Sequence, residues 1–198
     1  MRRSVEFFFD VGSPYSYLAY HALPPIAQAA GAQIVWRPVL LGAVLKAADN
    51  HSPLEVPAKM RWVEDDLARC AQALGVPFRL NPHFPVNTLT AMRVATGMLA
   101  RRPAEFPAYL TAAFNAMWVG GRNLADPAEF SAALEAAGFD AGKLLALATD
   151  QEIKDLLRGA TEVAVTRGVF GAPTFFVGEK MFWGHDRLEQ VARALAQS

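Results

Sequence analysis

The pattern of apolar and polar positions predicts strands near both ends of the chain and helices between them. Residues 5–9 form a short apolar run typical of a buried strand. Residues 33–41 (QIVWRPVLL) are rich in β-branched and aromatic side chains and predict a second strand. Apolar residues recur at helical spacing from Tyr17 to Ile26, and Gly31 ends that helix. The first 41 residues therefore predict a strand–helix–strand unit.

The middle of the chain has the periodicity of helices throughout. Helices are predicted at residues 58–74, 88–101, 103–119, 126–137, 141–148 and 150–167. Strand patterning returns at residues 174–177 and 180–183, which flank a hairpin turn, and a closing amphipathic helix is predicted at residues 185–196.

A polar, proline-containing stretch at residues 43–57 separates the second strand from the helices. The simpler interpretation of this stretch is a solvated loop. The functional interpretation is a lid, because loops beside rigid elements often carry binding residues.

Composition and charge exclude several classes of function. The chain has 198 residues, 53% of them hydrophobic, and a formal net charge of zero, which argues against nucleic-acid binding and against a polybasic membrane anchor. No apolar stretch reaches the ~20 residues that span a bilayer, and the start, MRRSVE, is too short for a signal peptide. We expect a cytoplasmic protein with no membrane partner.

Cys70 is the only cysteine, so no internal disulfide can form. It lies in an apolar stripe at helical spacing with Met60, Val63, Leu67 and Leu74. We therefore expect a buried, unreactive thiol. No metal site is predicted.

Candidate chemistry begins at Ser13, which lies between the first strand and the first helix. Ser13 followed by Pro14 is typical of a helix N-cap followed by the first helical position. Free N–H groups and the positive end of the helix dipole at such a turn can hold an anion, including a thiolate. A redox site here would need Cys-x-x-Cys, but the segment reads Ser-Pro-Tyr-Ser. The reactive sulfur would have to come from a ligand, unless Ser13 is a helix cap only.

A second signal is the segment VFGAPT at residues 169–174. Pro173 follows a glycine-containing turn and directly precedes a strand, so the Ala172–Pro173 bond is a candidate cis bond. Together with the order βαβ, helices, ββα, this pattern predicts an α/β thioredoxin-like fold with a four-stranded mixed sheet. Residues 1–42 and 168–198 would form the thioredoxin-like domain, with residues 43–167 inserted as a helical domain. Ala172 would then lie beside Ser13.

At this point the chain resembles the family of 2-hydroxychromene-2-carboxylate isomerases, which is grouped with the kappa-class glutathione transferases and DsbA-like proteins. The resemblance runs nearly end to end. It rests on the segments FFFDVGSPYSYL (7–18), FGAP (170–173) and WGHDRL (183–188), on Arg37-Pro38, and on Asn50 and Lys59. His185 departs from the small residue or asparagine usual at its position, and the arginine pair that some bacterial members have near Thr88 is missing.

The resemblance implies glutathione as the cofactor and a role for each matching residue. Ser13 matches the serine that contacts the glutathione sulfur, and Ala172 with Pro173 matches the backbone that pairs with its cysteinyl part. His185 and Asp186 match the turn that holds the γ-glutamyl end, and Trp183 belongs to the same segment. The resemblance also assigns lid and substrate contacts to Lys46, Asn50, Lys59 and Asn87.

The implied activity is a glutathione-dependent cis–trans isomerisation of a conjugated aromatic pyruvate in equilibrium with its cyclic hemiketal. Two alternatives remain open: a kappa-like glutathione transferase, and a non-catalytic thioredoxin-fold binding module. A homodimer is compatible with the resemblance.

Overall fold

One four-stranded sheet organises the molecule. The computed structural model describes residues 3–52 and 55–197. Its strands are β1 (Ser4–Phe9), β2 (Gln33–Pro38), β3 (Thr174–Val177) and β4 (Lys180–Trp183), in the sheet order β2-β1-β3-β4. β1 runs parallel to β2 and antiparallel to β3, and β3 and β4 form an antiparallel hairpin. The predicted mixed sheet and thioredoxin-like topology are confirmed.

The helices of the described residues follow the predicted order with one addition. They are α1 (Pro14–Ala29), α2 (Leu41–Ala47), α3 (Pro57–Leu74), α4 (Leu89–Arg101), α5 (Phe106–Trp118), α6 (Pro127–Ala136), α7 (Ala141–Thr149), α8 (Gln151–Thr166) and α9 (Leu188–Ala196). A 3₁₀ turn, His185–Arg187, precedes α9. None of the helices in the described ranges combines the length and apolar character that a membrane span requires.

Alternate residues of β1 supply two hydrophobic cores, because successive side chains of a strand point to opposite faces of a sheet. Phe7 and Phe9 belong to the larger core, which α1 and α9 also line. Phe8 belongs to a smaller core with Val44 of α2 and Ala164 of α8. The sheet is therefore covered by helices on both faces.

The larger core does not stop at the edge of the sheet. It continues without interruption through Leu67 of α3, Phe114 of α5 and Phe130 of α6. The division into a thioredoxin-like domain and an inserted domain at residues 43–167 stays a prediction, since α2 and α8 pack on the sheet and the other helices share its main core.

The prediction for the end of the second strand was wrong. β2 ends at Pro38, and the next residues form α2 (Leu41–Ala47) within what was predicted as strand and loop. The Leu41 N–H donates to Asp10 Oδ2 at 2.9 Å, and Val44 is buried in the smaller core. Both contacts join α2 to distant segments of the chain. A seven-residue helix without a side-chain cap also has little signal in its own sequence, so the pattern of residues 41–47 did not predict it.

The beginning of the last helix also differs from the prediction. The N-cap position of α9 is Arg187, and Asp186 lies in the preceding 3₁₀ turn. Asp186 pairs with Arg187 at 2.6 Å (Oδ2 to Nη1) and does not cap α9. Gly184, which starts the turn, has a φ of 103°, a conformation that favours glycine.

Candidate active site at the start of the first helix

Ser13 connects the start of α1 to the loop that precedes β3. Its Oγ accepts the Ser16 N–H at 3.1 Å, which makes Ser13 the N-cap of α1. The same hydroxyl donates to the Ala172 carbonyl oxygen at 3.0 Å, and the residue is only 3% exposed. The structure therefore places Ser13 and Ala172 side by side, as the sequence predicted.

Asp10 holds the turn that carries Ser13. Its carboxylate, 3% exposed, accepts the N–H groups of Gly12 and Leu41 at 2.9 Å each and the Thr88 hydroxyl at 2.7 Å. Burial raises the pKa of the Asp10 carboxyl, and the three hydrogen bonds oppose that rise. One carboxylate thus joins the beginnings of α1, α2 and α4.

The proline loop, residues 170–173, is fixed against the last strand. The Ala172–Pro173 bond is cis, as predicted. The Pro173 carbonyl accepts the Gly184 N–H at 3.0 Å. A Cβ on Gly171 would lie 2.7 Å from Nε1 of Trp183, so the indole covers the loop only because residue 171 is glycine. Trp183 is nevertheless 49% exposed, which leaves indole surface available to a ligand.

Asn50, in the predicted lid, contacts this loop. Its side-chain amide donates to the Phe170 carbonyl oxygen at 2.9 Å. Lys46 and Lys59 are exposed, and no hydrogen bond or ion pair within the described ranges joins either to Ser13 or the proline loop. Part of the predicted lid, residues 53 and 54, lies outside the described residues.

Asn87, which the resemblance assigns to substrate binding, is exposed, and its side chain accepts a hydrogen bond from the backbone. Its Oδ1 accepts the Leu89 N–H at 3.0 Å, at the start of α4. It directly precedes Thr88, which donates to Asp10. Asn87 therefore lies close in the chain to the turn that carries Ser13, but it makes no hydrogen bond to that turn within the described residues.

A side-chain cluster adjoins Ser13 on the other side. The rings of Tyr15 and His185 stack with centroids 4.8 Å apart and an interplanar angle of 20°. The Tyr15 hydroxyl donates to Asp66 Oδ2 at 3.0 Å, and His185 Nε2 lies 3.4 Å from Cys70 Sγ. This cluster places His185, and Asp186 beside it, at the start of α1.

The prediction that Cys70 is buried was wrong. Cys70 is partly exposed, and its Sγ contacts His185, whereas Val63, Leu67 and Ala71 of the same helix are buried. Burial and the nearby Asp66 raise the pKa of Cys70. Burial lowers the pKa of His185, against the opposing influence of Asp186 and Asp66. Both shifts favour a neutral thiol beside a neutral imidazole.

Four residues of the site were not singled out by the sequence analysis: Asp10, Tyr15, Asp66 and Thr88. Asp66 lies four residues before Cys70, on the same face of α3, so helical spacing could have joined these two. Asp10, an acid at the end of an apolar strand, was a visible signal of a buried polar group. Thr88 and Tyr15 act through contacts between distant segments, which no local pattern reports.

One hydroxyl near the site has no hydrogen-bond partner in the part of the chain that the structure describes. The Ser16 Oγ is buried and has no hydrogen bond within the described residues. Its backbone N–H already donates to Ser13. A buried polar atom without a partner costs free energy, so such atoms in native structures often point to a ligand or water.

The chemistry that this arrangement supports is anion stabilisation. A hydroxyl, the N-terminus of a 16-residue helix and the backbone of the proline loop meet at one point. Helix N-termini favour negative charge and lower the pKa of a bound thiol. Within the described residues, no three His, Cys, Asp or Glu side chains are placed to hold a metal ion together.

Comparisons with known proteins agree with the observed fold. The model of the DSBA-like thioredoxin domain matches residues 4–196. A 2-hydroxychromene-2-carboxylate isomerase from Sphingobium xenophagum is 34% identical over 191 residues, with 96% of each chain covered. Glutathione S-transferase kappa 1 from Homo sapiens is 32% identical over 212 residues, covering 98% of this chain and 92% of that protein.

The solved structure of a 2-hydroxychromene-2-carboxylate isomerase has a TM-score of 0.85 and 30% identity, covering 98% of this chain and 95% of that one. The named relatives are thus enzymes of two kinds, isomerases and kappa glutathione transferases. The chain belongs to the DsbA-like thioredoxin domain family, in the group that contains the 2-hydroxychromene-2-carboxylate isomerases and the kappa glutathione transferases.

Proposed function

We propose that this protein is a glutathione-dependent cis–trans isomerase that interconverts 2-hydroxychromene-2-carboxylate and trans-o-hydroxybenzylidenepyruvate or a close analogue. The observation that carries the proposal is Ser13, whose hydroxyl lies at the N-terminus of α1 and against the proline loop, with no cysteine in the turn. The similarity to proteins named as isomerases over nearly the full chain supports the choice of reaction.

The residues at the site fit glutathione. Ser13 supplies a hydroxyl where its sulfur would lie, and the backbone of Ala172 offers strand-like pairing to its cysteinyl part. The exposed carboxylate of Asp186 can accept the ammonium of the γ-glutamyl end in a charge-assisted hydrogen bond. Ser13, Ala172 and Asp186 would hold glutathione, which would supply a thiolate able to add reversibly to the conjugated C=C bond and so permit rotation about it.

Ser13 has to change partners for this chemistry. Its O–H donates to the Ala172 carbonyl. Rotation about the Cβ–Oγ bond would redirect the hydrogen toward a bound sulfur and leave the oxygen in place as the cap of α1. The hydroxyl and the helix terminus together favour the ionised thiol. Each unit by which they lower the thiol pKa corresponds to about 1.4 kcal/mol.

The substrate's charge must be held by cations or amides near the thiol. Asn50 already contacts the proline loop, and we propose that Lys46, Lys59 and Asn87 approach from the surrounding segments. Such donors would stabilise the negative charge that develops on the substrate oxygen, as in an oxyanion hole.

A kappa-like glutathione transferase is the second candidate, favoured by the 32% identity to the human kappa enzyme. It would use the same Ser13 and the same thiolate, but its electrophile would keep the sulfur. The two activities differ in whether glutathione is consumed.

The test is turnover of benzylidenepyruvate by protein freed of glutathione by dialysis. We expect no isomerisation without glutathione, full activity with catalytic amounts of it, and no rescue by S-methylglutathione, whose sulfur cannot ionise. A Cys70→Ala control should keep its turnover, because Cys70 is not the proposed source of the reactive sulfur. Isomerisation at full rate without glutathione would contradict the proposal, and stoichiometric loss of glutathione would favour the transferase.

We also propose a cytoplasmic location, because the cytoplasm maintains a reduced glutathione pool that can supply the cofactor. A homodimer stays a prediction. Sedimentation of the purified protein would determine its assembly state.

A further inference from the structure

A groove of about 600 Å³ lies between α2, α4 and α8, outside the cluster around Ser13. This volume is in the range of small-molecule sites. Its apolar wall consists of Leu40, Ala43, Ala47, Leu89, Leu157 and Val165. Its polar wall includes Arg93 of α4 and Lys154 and Arg158 of α8. The groove is thus apolar along its length and cationic at one wall.

Two of these cations have no hydrogen-bond or ion-pair partner among the described residues. Arg93 and Lys154 are partly buried, and neither makes a side-chain hydrogen bond or ion pair within the described ranges. Arg158 is different, since its guanidinium pairs with Asp155 at 2.6 Å. The carboxylate of Glu162 is the one acidic group in the lining, so positive charge exceeds negative charge there. A partly desolvated guanidinium without an acceptor favours an anionic ligand.

The groove begins next to the candidate active-site turn. Leu40 and Leu89 line it, and their chain neighbours Leu41 and Thr88 both donate to the carboxylate of Asp10. That carboxylate also holds the turn that carries the catalytic serine. A ligand in the groove would therefore extend away from the thiol position between α4 and α8.

We propose that this groove binds the carboxylate-bearing aromatic substrate, with Arg93 and Lys154 holding the carboxylate and the leucine and alanine side chains holding the ring. The proposal rests on the proposed isomerase function and adds to it the residues that select an α-keto acid. Arg93 offers a planar fork of N–H donors that matches a carboxylate, and Lys154 adds a second charge from the facing helix.

The experiment compares two ligands that differ in one group. Calorimetric titration without glutathione measures the Kd of benzylidenepyruvate and of benzylideneacetone, in which a methyl group replaces the carboxylate. We expect the acid to bind wild type at least about 10-fold more tightly than the ketone, as for a charge-assisted contact. Arg93→Gln and, on a different helix, Lys154→Gln should each weaken acid binding by about 10-fold and leave ketone binding unchanged.

Lys143→Gln is the matched control, because it removes the same charge from α7, where Lys143 pairs with Asp140. It should leave both dissociation constants unchanged. Wild-type affinity for the acid in both groove variants would overturn the proposal. These outcomes are separate from the proposed function, which fails if turnover does not need glutathione, whatever the groove binds.

Discussion

At the scale of single residues, Ser13 has two tasks that use different parts of its hydroxyl group. Its oxygen caps α1 through the Ser16 N–H, and its hydrogen is used by the Ala172 carbonyl. A bound thiolate would compete for the hydrogen but not for the oxygen lone pair that caps the helix. The cap can therefore stay in place while the donor changes partner, so the helix start need not move during catalysis.

Ser13→Ala should lower kcat/KM with glutathione by about 10²-fold, the usual cost of removing one donor to a bound or developing anion. It should also cost about 1 kcal/mol of stability through the lost cap. The control is Asp126→Ala, because Asp126 caps α6 through the N–H groups of Ala128 and Glu129, far from the site in the chain. Equal activity losses in both variants would show that Ser13 acts only as a cap.

Replacing the carboxylate of Asp10 with a neutral amide should disturb the site more than any other replacement of a charged residue by a neutral one. Its carboxylate faces three donors, and the amide of Asp10→Asn would direct an NH₂ group at one of them. We expect a loss of about 1–3 kcal/mol in the free energy of unfolding, measured with urea, and a lower kcat/KM. Asp126→Asn, which keeps an efficient cap at an exposed site, should change neither. An Asp10→Asn variant as stable as wild type would show that the carboxyl is not needed as a triple acceptor.

The lowered pKa of His185 predicts that the folded protein becomes less stable as the pH decreases. Because burial lowers its pKa in the folded protein, the unfolded chain binds more protons just below the ordinary histidine pKa of about 6.5. Stability should be full above that value and should fall as the pH decreases toward the folded pKa. His21, whose pKa burial also lowers, adds a contribution of the same sign.

Thermal unfolding between pH 8 and pH 5, two values chosen to span the ordinary histidine pKa, would measure this effect. His185→Gln should have a smaller pH slope than wild type, and the exposed His83→Gln should keep the wild-type slope. A steeper slope in His185→Gln would mean that the folded protein favours the protonated imidazole.

At the scale of elements, the strands and most helices could be predicted because their patterns are local. β1, β3 and β4 are short apolar or β-branched runs, and the cis bond at Pro173 follows from a proline at a strand entrance. α2 could not be predicted, because Asp10 and the smaller core hold it from outside its own sequence. Its length of seven residues is too short for propensity alone to decide.

In the candidate site, too, some contacts could be predicted from the sequence and others could not. Ser13 and Ala172 could be paired from the sequence because the topology of the sheet brings their segments together. Tyr15 stacks on His185, and His185 contacts Cys70. Both contacts depend on how α3 packs beside α1, which the local sequence pattern does not predict. The expectation of a buried Cys70 failed for this reason.

At the scale of the whole molecule, the continuous core predicts a single cooperative unfolding transition. Phe7 of the sheet and Phe130 of the inserted helices belong to the same buried cluster. Phe130→Ala should lower the free energy of unfolding by about 3–5 kcal/mol and shift the entire transition. Tryptophan fluorescence and far-ultraviolet circular dichroism should give coincident curves. Two separate transitions would instead support an independently folding insertion at residues 43–167.

The unpartnered hydroxyl of Ser16, one turn after Ser13, has a consequence for how readily this scaffold could change its reaction class. The field at the start of α1 comes from the backbone, whereas the two side chains supply only oxygen atoms. Exchanging both for sulfur, as Ser13→Cys with Ser16→Cys, would give the Cys-x-x-Cys spacing of disulfide oxidoreductases. Thiol titration before and after mild oxidation should then show that two thiols are lost together as one disulfide. A protein proposed to bind the thiol of glutathione would then contain a redox-active cysteine pair of its own.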